Sequence, residues 1–398
     1  MAARIFVSVA EQSADEHAAE LIRAFRERHP GAVFSGLAGP AMQAAGCECI
    51  HDMTTRSAMA LAAIARVPEA LRLMNRLKKH LAEQSYDAAV VVDSPALNLS
   101  VAKLCRRRGI PVLYYIAPQT WAWGWRRWRN ARLRNRVNRV ACIWPFEEPH
   151  FRRDGIEAIY VGHPSFDRLL KIEPEESRVA ALKAGASPVI TILPGSREHV
   201  IHEVLPGQLE IAAALALRHR RSRFLVVAAS DRAAGQIQAL SAAQGQRVNF
   251  EMLRGDAERA AAIRAADLVL VASGTITLEV AYRAAPMIVM YNTARWGYLL
   301  VGQWLLTTPC LSIPNILAGR EIVPEFMPYY KSTDPIIARA VEWLANPAKL
   351  ERVRQDLADT IRPLIRGGAA ENVARELESL ITPKSAGSGA APKNQAVD

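Results

Sequence analysis

Residues 188–199 read PVITILPGSREH. A run of apolar and β-branched residues ends abruptly in Pro-Gly-Ser, and a helical pattern follows. That is the signature of a buried strand turning through a tight loop into a helix. Gly195 and Ser196 permit the turn. The helix start then offers unpaired N–H groups to an anion, and Arg197 adds a rigid fork suited to phosphate.

The same strand-then-helix unit recurs in both directions. Upstream lie IFVSVA (5–10), VFSGLAG (33–39), AAVVVD (88–93), VLYYIA (112–117), RVACIW (139–144) and AIYVG (158–162). Downstream lie RFLVVAAS (223–230), RVNFEML (247–253), ADLVLVASG (266–274), PMIVMY (286–291) and a short run at 310–313. Helical patterns such as ADEHAAELIRAFRERH and PEALRLMNRLKKHLAEQ separate them. Strands alternating with helices predict parallel sheets covered on both faces. The rhythm pauses over a charged stretch, which divides the chain. The expected organisation is an N-terminal α/β half (1–166), a linker (167–187) and a second α/β half (188–345). Helices follow at 346–384, and a small, polar, disordered tail at 385–398.

Composition narrows the function. At 398 residues, half of them hydrophobic, the chain has room for two ordinary domains and is not globally disordered. A formal charge of +11 favours anionic partners: nucleic acid, phosphorylated substrates or an acidic membrane surface. The five cysteines are scattered and lack zinc-ligand spacing, so reduced thiols are expected rather than a metal site. The N-terminus reads as a first strand, not a signal peptide. No window is expected to supply the roughly 20 apolar residues that span a bilayer; the richest is 296–306.

In open α/β sheets, ligands bind beyond the carboxyl ends of the strands. In the second half these ends carry Gly195, Ser196 and Arg197, then Ser273, Gly274 and Thr275 in ASGTITLE. Glu279, one turn further, is placed to accept hydrogen bonds from a ribose. PNILAGREIVPE, after 310–313, spaces Asn315, Arg320 and Glu321 through an apolar stretch. Each has a structural alternative, such as an N-cap or a solvated charge. Two small-residue loops in one half point to a nucleotide, although neither fits a dinucleotide fingerprint or a P-loop. In the first half the strand ends carry Glu11, Ser13 and Asp15, then Asp93 and Asn98, then His163 beside the join.

One stretch stands apart. PQTWAWGWRRWRNARLRNRVNRV (118–140) holds four of the eight tryptophans and many arginines, with no acid. Indole and guanidinium together suit stacked bases and phosphates, or a membrane interface with anionic head groups. A helix burying Trp128, Leu133, Val137 and Val140 is the plainer reading.

Taken together, YYIAPQTWAWGWRR, WPFEE (144–148), YVGHPSFD (160–167), LPGSRE (193–198), SGTITLE (273–279), PMIVMY (286–291) and PNILAGREIVPE (314–325) resemble the lipid A disaccharide synthase family. These are membrane-peripheral glycosyltransferases of the GT-B type, with two Rossmann-like domains facing a cleft. The resemblance implies transfer of 2,3-diacylglucosamine from UDP to 2,3-diacylglucosamine 1-phosphate. Inversion would give a β(1→6) disaccharide, with no metal or cofactor. The expected partners are the UDP-sugar donor, the acylated sugar phosphate acceptor and an anionic membrane surface. A homodimer is a further possibility, and nucleic acid is not expected. The implied location is the inner face of the inner membrane. Gln119 joins the implied substrate-binding residues.

Two loops depart from the family pattern. Gly becomes Ala10 and Ala14 in the first loop, and the family's favoured catalytic aspartate is Ala96. The base candidates are therefore Asp93, then Asp15 and Glu11. The competing readings are a catalytically degenerate or differently specific UDP-sugar-binding protein, and a nucleic-acid-binding protein.

Overall fold

The structure is a computed structural model that describes residues 2–52, 67–121, 126–245, 247–292 and 310–381. The chain forms two compact units. The first holds a seven-stranded sheet: β1 (Arg4–Ser8), β2 (Val33–Leu37), β3 (Glu48–His51), β4 (Ala88–Val92), β5 (Val112–Tyr115), β6 (Arg139–Cys142) and β7 (Ala158–Tyr160). Its order is β3-β2-β1-β4-β5-β6-β7, and every pairing is parallel. The second unit holds β8 (Val189–Leu193), β9 (Arg223–Ala228), β10 (Glu251–Arg254), β11 (Leu268–Ala272), β12 (Met287–Met290) and β13 (Glu325–Phe326). Its order is β10-β9-β8-β11-β12-β13, again all parallel.

The central strands β4, β8 and β11 are buried along their whole length. This is why they read as unbroken apolar runs rather than alternating ones. Each sheet reverses its winding once: between β1 and β4 in the first, between β8 and β11 in the second. Reversal sends the connecting helices to opposite faces and leaves an opening at the carboxyl ends of those strand pairs.

Several expectations change. The stretch 167–187 is no bare linker: it carries the helix Glu176–Lys183 and belongs to the second unit. The run at 310–313 is not a strand, because Ser312 caps a helix, Ile313–Ala318. The helix Glu198–Arg218 is long and apolar enough to cross a membrane, contrary to the reading of the windows. Its apolar side chains, including Ile201, Val204, Leu205, Ile211 and Leu215, are buried in the second unit's own core. The tail at 385–398 and the apolar window 296–306 lie outside the described residues.

The helices expected after 346 divide between the units. Pro347–Ile361 stays with the second unit, whereas Ala369–Ile381 returns to the first and packs on the helix Gln12–Arg28. Val373, Ala374 and Leu377 form its buried stripe. Polar clasps flank the stripe. Arg28 reaches Glu378 (2.6 Å), Arg139 reaches Glu376 (2.6 Å), and Asn372 donates to the Val161 carbonyl (2.9 Å). The Arg28–Glu378 pair is exposed enough to contribute little, so the apolar stripe carries the docking. Replacing the fully buried Leu377 by Ala should cost about 2–5 kcal/mol by lost burial and a cavity, measured as a shift in urea midpoint.

Candidate functional site

Part of the expected site set lies at the two switch points, and part lies on other loops. In the first unit, β1 runs into Glu11 and β4 into Asp93. Asp93 and Ser94 both hold positive φ, 52° and 45°, a strained conformation for non-glycine residues. Asn98 stabilises it from below. Its amide donates to the carbonyls of Val92 and Asp93 (both 2.8 Å), and its oxygen accepts from Ser8 Oγ (2.7 Å). Tyr114 Oη donates to the same Asp93 carbonyl (2.7 Å). Burial raises the Asp93 carboxyl; the Ser94 N–H opposes this and the nearby Glu11 carboxylate adds to it. A partly buried acid beside a second acid is suited to taking a proton.

Asn98 was expected to meet substrate. It is fully buried with all its polar atoms engaged, so it shapes the loop instead. Asp15 likewise leaves the set of bases. It is 1% exposed and accepts from the backbone N–H of Gly39, Ala41 and Met42 (2.8, 2.8 and 3.3 Å), capping the helix Pro40–Ala44. Ser13 and Gln119 are exposed, and Ala96 is exposed on the first turn of the helix Pro95–Arg107. His163 is buried with its ring 4.5 Å from Trp144. Burial, then the neighbouring His17, lowers its pKa to about 3, so it stays neutral.

In the second unit, the loops after β8 and β11 flank the other switch point. Gly195 has φ +106°, and a Cβ there would lie 2.8 Å from Val200 Cγ1, so only glycine fits. Ser196 and Arg197 are exposed, and Arg197 is the N-cap of Glu198–Arg218. Gly274 and Thr275 are exposed, whereas Ser273 is half-buried. Gly274 turns the chain at φ +148°, and its carbonyl accepts from Thr277 Oγ1 (2.8 Å). Glu279 is not a solvated charge. It is 3% exposed, and its Oε2 accepts from Arg259 Nε (2.9 Å). Beneath both loops, the buried Gln208 donates to the carbonyls of Leu193 and Leu270 (3.4 and 3.1 Å).

PNILAGREIVPE does not present the set that was expected. Asn315 is fully buried: its oxygen accepts from Ile322 N and Val323 N, and its amide donates to Val323 O and Glu325 Oε1. Glu325, which the sequence reading missed, also accepts from Leu311 N, Ser312 N and Ser312 Oγ. Together they pin the loop to β13. Arg320 is paired with Asp356 (2.9 Å), and Glu321 is exposed.

Around the Trp/Arg stretch, Trp123 and Trp125 lie outside the described residues. The helix Arg126–Arg134 buries Asn130 and Leu133. Val137 and Val140 are also core, and Val140 belongs to β6. Trp128 does not share their face: it is 57% exposed, with the Arg132 guanidinium 4.6 Å over its ring. Trp121 is half-buried and donates from Nε1 to Glu147 Oε1 (3.1 Å).

Sequence profiles and known proteins agree with the motifs. The profile described as lipid-A-disaccharide synthetase matches residues 5–378. The chain belongs to that family. The lipid-A-disaccharide synthase of Neisseria gonorrhoeae is 35% identical over 93% of this chain and 94% of its own length. That of Myxococcus xanthus is 34% identical over 96% and 98%. Among solved structures, MurG of Acinetobacter baumannii aligns with TM-score 0.57 at 14% identity, covering 95% of this chain and 99% of its own. The UDP-GlcNAc 2-epimerase of Neisseria meningitidis bound to UDP-GlcNAc gives 0.59 at 14%, covering 95% and 100%. These likenesses establish the GT-B fold. Family membership makes the chain a hexosyltransferase of lipid A synthesis.

Glu147, in the stretch WPFEE (144–148), is a further buried acid. Its Oε2 accepts from Ile143 N and Trp144 N (both 3.1 Å). Burial raises its carboxyl to about 7 against the opposing pull of Trp121, Trp144 and Ile143. Because the folded pKa lies above the unfolded one, its stabilising contribution is present at low pH. It is lost as pH rises through about 7. The advantage of the natural protein over Glu147→Gln should therefore shrink by on the order of 2–3 kcal/mol between pH 5 and pH 8 in urea unfolding.

Proposed function

We propose that the chain transfers 2,3-diacylglucosamine from UDP to the 6-hydroxyl of 2,3-diacylglucosamine 1-phosphate, with Asp93 as general base. The observation that carries this reading is the Asp93–Glu11 pair at the first switch point, its acid raised by burial and its backbone held at positive φ. The ionised Asp93 carboxylate takes the hydroxyl proton as the oxygen attacks the donor anomeric carbon from the face opposite UDP. The bond from that carbon to the diphosphate oxygen breaks as the new one forms, which inverts the centre. Negative charge then grows on UDP, where Arg197 and the N–H groups around Gly195 and Gly274 meet it. Glu279 accepts from the ribose.

A base with a raised pKa ionises later, so kcat/KM should fall on the acid side at a higher pH than for an ordinary aspartate. Asp93→Asn should lower disaccharide formation by about 10²–10⁴-fold. Ala96→Asp places a carboxylate on the exposed first turn of the helix Pro95–Arg107, where the helix N-terminus favours it. This change should raise the rate. Assays with both substrates settle the matter: if neither substitution alters turnover, the base lies elsewhere.

The acceptor's acyl chains place it in a bilayer leaflet, so the site must work at a membrane surface. The exposed Trp128 under the half-buried Arg132, and the exposed Arg127 and Arg134, support an anionic inner leaflet as that surface. Binding to phosphatidylglycerol vesicles should weaken as salt rises. It should lose on the order of 1 kcal/mol for each arginine of this helix changed to Gln. Tight RNA binding with indifference to such vesicles would instead revive the nucleic-acid reading.

A further inference from the structure

We propose that Arg259 is a positioning residue for the donor. It holds Glu279 so that one carboxylate oxygen stays available to a sugar hydroxyl. The inference rests on the second switch point being the UDP site.

Glu279 sits in the helix Ile276–Tyr282, which leaves the loop after β11. Arg259 comes from the helix before that strand, Asp256–Ala265. Its Nε donates to Glu279 Oε2 at 2.9 Å, and its Nη1 contacts Asp256 Oδ1 at 2.7 Å. The guanidinium is thus gripped at two corners by two acids, and its plane is fixed. Arg283 is a second cation facing Glu279, but its Nη2 is held by the Ile172 carbonyl (2.7 Å).

Two buried atoms of the ion pair lack a hydrogen-bond partner: Glu279 Oε1, an acceptor, and Arg259 Nη2, a donor. Leaving such atoms unpaired in a buried pair is costly, so a native site normally completes them. Glu279 Oε1 calls for a donor, and Arg259 Nη2 for an acceptor. A phosphate oxygen only accepts and cannot satisfy the carboxylate. A hydroxyl does both, and the vicinal diol of a ribose offers two. Without Arg259, the Glu279 carboxylate is free to turn about its side-chain torsions and loses this preset geometry.

The test is calorimetric binding of UDP, 2′-deoxy-UDP and 3′-deoxy-UDP, with donor KM and kcat measured in parallel. The full chain and the variants Glu279→Gln, Arg259→Met, Arg259→Lys and Asp256→Asn are compared. The natural protein should favour UDP over the weaker deoxy analogue by about tenfold or more, because a hydroxyl-reading site left unpaired rejects the analogue. Arg259→Met should bring that ratio close to one and raise donor KM about tenfold with kcat changed less than about threefold. Arg259→Lys should restore part of the ratio. Asp256→Asn, a milder change that releases one corner of the guanidinium, should lower the ratio partway even if Arg259→Met folds poorly. If Glu279→Gln abolishes the discrimination while Arg259→Met and Asp256→Asn keep it, Arg259 is only structural and the inference fails. If Glu279→Gln itself keeps the discrimination, the ribose reading fails, and a buried water is all that the two atoms hold.

Discussion

Each half of the molecule depends on one buried amide placed where a parallel sheet reverses its winding. Strands on either side of a reversal end beside an opening, and their last carbonyls need donors once water is excluded. Asn98 supplies them in the first sheet, joining Ser8 at the end of β1 to Val92 and Asp93 at the end of β4. In the second, Gln208 joins Leu193 at the end of β8 to Leu270 in the middle of β11. The two side chains do the same task from different helices. Each lies directly behind the loops at its switch point, so those loops are held by buried polar bonds rather than by exposed ones.

This arrangement explains which parts of the site were legible in the sequence. The long apolar strands announced themselves, and polar or small residues after them marked the loops. Period and turn chemistry are local, so the placing of Gly195, Arg197, Gly274 and Asp93 in loops just after strands could be read from neighbours alone. The edge strands were harder. β3 reads ECIH, with polar residues at both ends, and β13 is two residues long, so neither offers an apolar run.

Direction of a side chain was the second barrier. Asp15, Asn98 and Asn315 are polar residues near ligand edges; the sequence grouped the first with the candidate bases and the other two with substrate-binding residues. Their partners lie elsewhere in the chain, at Gly39–Met42 for Asp15 and at Ser8 for Asn98, and no local pattern reports them. The converse error hid Gln208, Glu147 and Arg259. The one available signal was a lone polar residue inside an apolar stretch, as with Gln208 between Leu205 and Leu209 in a buried helix. Trp128 shows the same limit: it was grouped with Leu133 and Val137, yet a five-residue step turns it about 140° away from Leu133 on the same helix, and that helix ends at Arg134 before Val137.

The return of Ala369–Ile381 to the first unit has a consequence for biosynthesis. The ribosome completes all seven strands of the first sheet before it makes any strand of the second. Yet the helix that covers Gln12–Arg28 emerges last. At ordinary translation speeds, about 5–20 residues per second, the nascent first unit waits on the order of tens of seconds with that apolar surface bare. During this interval the second unit can already close on itself, since none of its strands needs the C-terminal helix. The half made first is therefore the half finished last. A chain interrupted near its end would release a complete second sheet attached to a first one still open to chaperones and proteases.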